Sequence, residues 1–175
     1  MRLFDGERPK TFLRGFDQWL MDLAADPKLA ETLMDAVLDI WLAEAAEAID
    51  TVGDRADVVV YADDIAFQDR PMVSMAMYRR LIKPRQKRVF GLLKSSGAKV
   101  FYHSCGNVRP LLSDLVEMGV DILNPVQVSA RDMADTAALK REWDRHLVFW
   151  GGIDTQAVLP RGKGSDVYRE VHWRL

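Results

Sequence analysis

The sequence predicts an α/β fold: a partial TIM (β/α)8 barrel with about four parallel βα units. Two observations carry this. Short apolar or β-branched runs alternate with helical ones through residues 57–150, which implies right-handed crossovers and a parallel sheet. Each polar cluster also follows a strand directly: Asp63/Asp64, His103/Cys105, Asn124/Gln127 and Gly152/Asp154. Barrels and open doubly wound sheets both place chemistry at the C-terminal ends of their strands. The sequence has no Gly-x-Gly-x-x-Gly and no phosphate-loop motif, and the barrel is favoured. Gly151-Gly152 alone reads as a close-approach turn.

The elements follow in order. Phe12 to Ala24 has the pattern of a short helix. Asp26-Pro27 starts a second, with an N-cap aspartate before a proline at the first helical position. Its apolar positions Leu29, Leu33, Val37, Ile40, Trp41 and Ala45 run to about Ile49, and Gly53 stops it. Asp57 to Tyr61 is a β-branched strand. Ser74 caps a long helix from Met75 to Ser96, bent at Pro84 and closed by Gly97. Ala98 to Tyr102 is the second strand, followed by a helix from Asn107 to Met118. Val120 to Leu123 is the third strand, and a polar helix spans Asp135 to Trp143. His146 to Trp150 is the fourth strand, and a last helix starts near Ser165. The second and third strands are apolar enough to be covered on both faces.

Composition bounds the function. With 175 residues, 49% hydrophobic and 29% charged, residues 1–175 read as a single globular domain. A net charge of −2 with scattered basic residues argues against a nucleic-acid partner. The densest basic run, Arg79-Arg80 to Arg85-Gln-Lys-Arg88, reads as the wet face of a helix. The single cysteine excludes an internal disulfide and fits a reducing compartment. The N-terminus lacks a signal-like apolar region and no stretch approaches a membrane span, so a cytoplasmic protein without a membrane partner is expected.

The strand ending in His103-Ser-Cys-Gly106 carries the clearest chemistry. Side chains two apart share a face, so His103 and Cys105 project together from the strand tip. Imidazole and thiolate are ligands that zinc favours, and a catalytic zinc keeps one position open. A buried thiol beside a backbone-bonded histidine is the alternative reading of the same pair. Asp63 and Asp64 leave their strand on opposite faces, so at most one of them points into the barrel mouth, as metal ligand or proton acceptor; a helix-capping or loop-bonding carboxylate is the alternative. The inward one is expected to be Asp63 if Asp57, Val59 and Tyr61 share its face, with Val59, Phe101 and Val148 lining the concave side. Asn124 and Gln127 are candidates to orient a polar ligand, although Asn-Pro also marks a turn. Gly152 and Asp154 are candidates for substrate binding, or for bracing their loop. His146, at the start of a strand, reads as structural, and His172 as solvated.

At these residues the chain resembles the uroporphyrinogen decarboxylase superfamily, and most closely its zinc-dependent, corrinoid-linked methyltransferases. The segments that carry the resemblance are Tyr61-Ala-Asp-Asp64, Ile82-Lys-Pro84, Gly97 to Asn107, Gly119 to Gln127 and Leu147 to Gln156. They run in the family's order over nearly the whole chain. The resemblance implies a (β/α)8 barrel, of which this sequence holds an incomplete part: the N-terminal barrel half and the last strand are expected to be missing. It implies zinc on His103 and Cys105, in a site left incomplete because the family's later cysteine is absent. It implies a corrinoid on a partner protein as methyl donor, with a small-molecule thiol or pterin as acceptor. Two alternatives stand beside methyl transfer. One is uroporphyrinogen decarboxylation in tetrapyrrole (heme and porphyrin) biosynthesis. The other is an inactive remnant or partner-binding half-barrel, whose open strand edges at 57–61 and 146–150 favour self-association.

Overall fold

The protein is described by a computed structural model covering Arg2–Asp5 as backbone and residues 13–175 in full. Five strands form one sheet: β1 (Arg2–Asp5), β2 (Val58–Ala62), β3 (Lys99–His103), β4 (Ile122–Asn124) and β5 (Val148–Phe149). All neighbours are parallel and the spatial order is the chain order. A doubly wound sheet reverses its order partway, whereas a barrel adds each strand beside the last. The observed order is therefore that of part of a barrel. The four expected strands are present, and β1 is an addition. It pairs with β2, so the strand at 57–61 is not the open edge expected of it.

Helices connect the strands: α1 (Phe16–Ala25), α2 (Pro27–Val52), α3 (Met75–Met77), α4 (Lys83–Ser95), α5 (Leu112–Glu117), α6 (Thr136–Trp143), α7 (Val158–Arg161) and α8 (Gly164–Arg174). The expected start of the first helix at Phe12 lies outside the described residues. Asp26 caps α2 by accepting from the Leu29 N–H at 3.1 Å, and Ser74 caps α3 by accepting from the Met77 N–H at 3.2 Å. Between α3 and α4, Tyr78–Ile82 forms a π-helical turn in which the Lys83 N–H donates to the Tyr78 carbonyl. Pro84 has no N–H to continue the regular ladder, so the bend expected at this proline falls just before it. The short helix α7 has no counterpart in the sequence reading.

The core lies between the sheet and the helices. Alternate strand residues Val59, Tyr61, Val100, Tyr102 and Leu123 are buried there against Trp41, Phe90 and Leu93. The Tyr61 ring stacks on Tyr102 with centroids 5.9 Å apart and meets the edge of Phe90 at 5.4 Å. The other face is open. Val148 and Trp150 are 57% and 60% exposed at the fourth expected strand, as expected for Val148 on the concave side, while Ile122 on the same face of β4 is buried. Val59 is on the helix face, and Val60 rather than Val59 pairs in register with Phe101. On α2, Leu29 and Ile40 point outward, and the buried stripe is Ala30, Met34, Leu38, Trp41 and Ala45. The helix was placed correctly, but its inward stripe is rotated from the one expected. None of the described helices is long and apolar enough to cross a membrane.

The basic run at 79–88 is not simply a wet face, because it ties helices together. Arg85 pairs with Asp35 of α2 at 2.7 Å, and Arg88 with Asp39 at 3.0 Å. Arg79 and Lys83 both bind Asp114 of α5, at 3.0 and 2.7 Å. Burial pushes the Asp114 carboxyl up, but the hydrogen bonds and charges of Arg79 and Lys83 outweigh it and hold the carboxyl below its usual range. Such a group contributes stability above its unfolded pKa, and loses it as pH falls through the lower folded value. Asp114→Asn is expected to cost about 1–2 kcal/mol at neutral pH. The cost should begin to shrink as pH falls below about 4, where the unfolded chain's carboxyl protonates, and disappear only below the lower folded value. Urea unfolding of both proteins across pH checks this.

Candidate metal centre

The site grows out of the strand alternation. Tyr102 and Ser104 of the β3 segment are turned into the core, 0% and 2% exposed. His103 and Cys105 therefore share the open face, each half-buried at the sheet's C-terminal edge. β2 follows the same rule with the opposite outcome from that expected. Tyr61 is on the helix face, so Asp63 continues there, buried, and Asp64 emerges on the open face. The inward carboxylate is Asp64, and the expectation of Asp63 is corrected. The cause is that Val59 and Tyr61 pack under α2 and α4 rather than lining the concave side.

Asp64, His103 and Cys105 each offer one ligand atom, and the three atoms lie within 4.8 Å of one another. The Cys105 Sγ is 3.8 Å from the His103 Nε2. Ligands bound tetrahedrally at ~2.0–2.3 Å are separated by about 3.3–3.8 Å, so this pair is already at a zinc-ligand spacing. The donor set, one imidazole, one thiol and one carboxylate, suits a borderline-soft ion, and three protein ligands leave a fourth position open. Asp64, rather than Asp63, is the carboxylate that lies with His103 and Cys105.

Neighbours orient these groups. Asn124, in register with His103 on the adjacent strand, places its Oδ1 2.6 Å from the His103 Nδ1. The Asn124 amide nitrogen donates to the Trp150 carbonyl at 3.3 Å, which turns its oxygen toward the imidazole. Nδ1 must then carry the proton, and Nε2 presents its lone pair beside Cys105. Asn124, proposed from sequence to orient a ligand, thus orients the histidine. The Cys105 N–H donates to Asp64 Oδ1 at 2.6 Å. Burial first, and the Asp64 charge second, push the Cys105 thiol above the ordinary thiol range.

Gly106 explains the last letter of the His-Ser-Cys-Gly run. Its φ is +88°, and a Cβ there would sit 2.5 Å from the Ala66 carbonyl oxygen. Only glycine lets the loop after β3 lie against the loop after β2. The Gly106 N–H donates to Gln127 Oε1 at 2.7 Å, and the Gln127 amide bonds Gln68 and Ser129 in turn. Gln127 is 3% exposed and braces this junction. Gly151 is the second glycine that geometry demands, since a Cβ there would fall 1.8 Å from the Pro125 carbonyl oxygen. The Gly152 N–H donates to that carbonyl at 2.8 Å. Asp154 accepts from the N–H groups of Gln156 and Ala157 at 2.7 and 3.0 Å, and so braces its own loop. Asp63 accepts from the Tyr61 hydroxyl at 3.4 Å and from Gln86 at 3.2 Å, inside the core. The structure therefore gathers Asp64, His103, Cys105 and Asn124 into one cluster. It gives Asp63, Gln127 and Asp154 hydrogen bonds that secure the surrounding chain. Sequence reading missed Gln86, Tyr102 and Ser104, whose signal was only their alternation with the ligand positions and, for Gln86, a lone uncharged residue within a basic run.

A parallel sheet in chain order with a His/Cys/Asp group at its C-terminal edge defines an α/β barrel-type protein with a candidate metal centre. The sequence pattern of the family described as uroporphyrinogen decarboxylase (URO-D) matches residues 11–173, and the chain belongs to that family. Among solved structures it is similar to a methyltransferase from Methanosarcina mazei, with a TM-score of 0.70 at 20% identity. The likeness covers 90% of this chain and 43% of that one, so the chain spans less than half the length of this structural relative. Among curated proteins, none matches the sequence.

Proposed function

We propose that this chain is the metal-bearing part of a zinc-dependent methyltransferase, moving a methyl group from a corrinoid on a partner protein to a thiol or pterin acceptor. The observation that carries the reading is the convergence of Asp64, His103 and Cys105 within 4.8 Å. Zinc, when bound, supplies a Lewis acid that favours the thiolate form of an acceptor thiol. The chain's own residues prepare for the ion. Asn124 accepts from Nδ1 of His103, which orients the ring and directs Nε2 toward the ion. Once the ion displaces the Cys105 thiol proton, Cys105 and Asp64 would set two negative charges against two positive ones. Half-burial of all three limits competing water while leaving the face open to a substrate.

The test incubates the zinc-loaded chain with methylcobalamin as donor and, separately, a mercaptan and tetrahydrofolate as acceptors. No demethylation is expected of this chain alone; a version extended to a full barrel is expected to demethylate methylcobalamin, followed by the shift in absorbance, with at least one acceptor and only in the presence of zinc. Carbon dioxide released from uroporphyrinogen, with no methyl transfer, would instead establish the decarboxylase reading. Neither activity, with zinc bound, would leave the remnant reading. Self-association belongs to the same proposal. The exposed Val148 and Trp150 share the open side of the sheet with Phe101, whose ring meets Trp150 at 5.6 Å. Light scattering is expected to show a dimer or larger species that Trp150→Glu reduces in mass.

A further inference from the structure

We propose that Tyr102 and Ser104 are positioning residues that hold Asp64 against His103 and Cys105, so that the metal site is registered from the buried face of the strand that bears two of its ligands. The inference rests on the metal reading above. Residues 103 and 105 are on the open face, and 102 and 104 lie beneath them in the core. The Tyr102 hydroxyl donates to the Asp63 carbonyl at 2.7 Å, which belongs to the peptide joining Asp63 to Asp64. The Ser104 Oγ accepts from the Ile65 N–H at 3.2 Å, in the peptide that leaves Asp64. Two side chains of one strand thus hold the main chain on either side of the aspartate. Between those two holds, the Asp64 carboxylate meets the Cys105 N–H at 2.6 Å.

The clamps are themselves held. The Tyr102 hydroxyl accepts from the Gln86 Nε2 at 3.4 Å, and that same amide donates to Asp63 Oδ2 at 3.2 Å. The Gln86 carbonyl accepts from the Tyr78 hydroxyl at 2.8 Å. The Ser104 hydroxyl proton points to the Cys105 carbonyl at 3.1 Å, which leaves a lone pair for Ile65. Burying this many polar groups is costly unless their hydrogen bonds are made, and phenylalanine and alanine would fill the same volumes without them. The hydroxyls, rather than the packing, carry the function proposed here.

The test uses cobalt(II) in place of zinc, because its visible spectrum reports tetrahedral ligation and its near-ultraviolet band reports thiolate bonding. Tyr102→Phe and Ser104→Ala are each expected to weaken cobalt binding about 10-fold or more while keeping the thiolate band. In an Asp64→Ala background neither should weaken it further, because their effect passes through Asp64. A merely structural role would weaken binding by the same factor in both backgrounds. That result, or wild-type affinity in the folded variants, overturns the proposal. Ser104→Ala reads the same clamp independently if Tyr102→Phe unfolds before the assay. A wild-type chain that takes up no cobalt, or an Asp64→Ala chain that binds it as tightly as wild type, instead removes the metal reading itself.

Discussion

Cys105→Ala is expected to abolish binding of zinc, which this chain with its incomplete site holds only weakly and loses on dialysis, and this is the largest functional effect of any single change in this protein. The chain has no other cysteine to replace it. The remaining donors, Asp64 and His103, would form a two-ligand site, one short of the three that catalytic zinc normally uses. Asn124→Ala is the graded comparison. It keeps every ligand but frees the His103 ring to rotate and change tautomer, so affinity should fall about 10- to 100-fold. Zinc titration in competition with a chromogenic chelator measures both. Stoichiometric zinc in the Cys105→Ala protein would refute the assignment.

Phe90→Ala is expected to cost about 3–5 kcal/mol of folding stability, a large part of the ~5–15 kcal/mol typical of a domain. Phe90 is fully buried, and its ring meets the edges of Tyr61 at 5.4 Å and Tyr102 at 5.6 Å. Truncation removes the transfer energy of the ring and leaves a cavity beneath both strands that carry ligands. Val148→Ala, on the open face at 57% exposure, should by contrast change the stability of the isolated chain by less than about 0.5 kcal/mol. Urea unfolding midpoints decide between them. Equal costs would mean that the open face is packed in solution, and would locate the self-association there.

The element order was legible because it rests on local chemistry. Aspartate, serine and glycine at helix ends satisfy or free backbone groups within a few residues, and the structure places caps at Asp26, Ser74 and Asp135. Which face of each element turns inward was less legible. The inward stripe of α2 depends on where the sheet lies. Leu29 and Ala30 differ by one position, yet Leu29 is 38% exposed and Ala30 is fully buried. The same uncertainty exchanged Asp63 and Asp64, since a period of two leaves the choice of face to packing. β1 went unread because Arg2-Leu-Phe-Asp5 has a charged residue at each end and no β-branched residue between them.

The sequence by itself determined the parallel order of strands and the pairing of His103 with Cys105 on one face. The first follows from the alternation of strand-like and helical runs along the chain, and the second from the period of two within one strand. Only the tertiary structure decided that Asp64 joins His103 and Cys105, that Asn124 orients the histidine ring, and that Tyr102, Ser104 and Gln86 hold the junction from below. Those relations join residues 21 to 41 positions apart, or 16 and 23 for the contacts of Gln86. They exist because β2, β3 and β4 align in register, with Ala62 beside His103 and His103 beside Asn124. Register between strands is fixed by how a whole layer of side chains packs under the helices, and no local pattern in the chain encodes it.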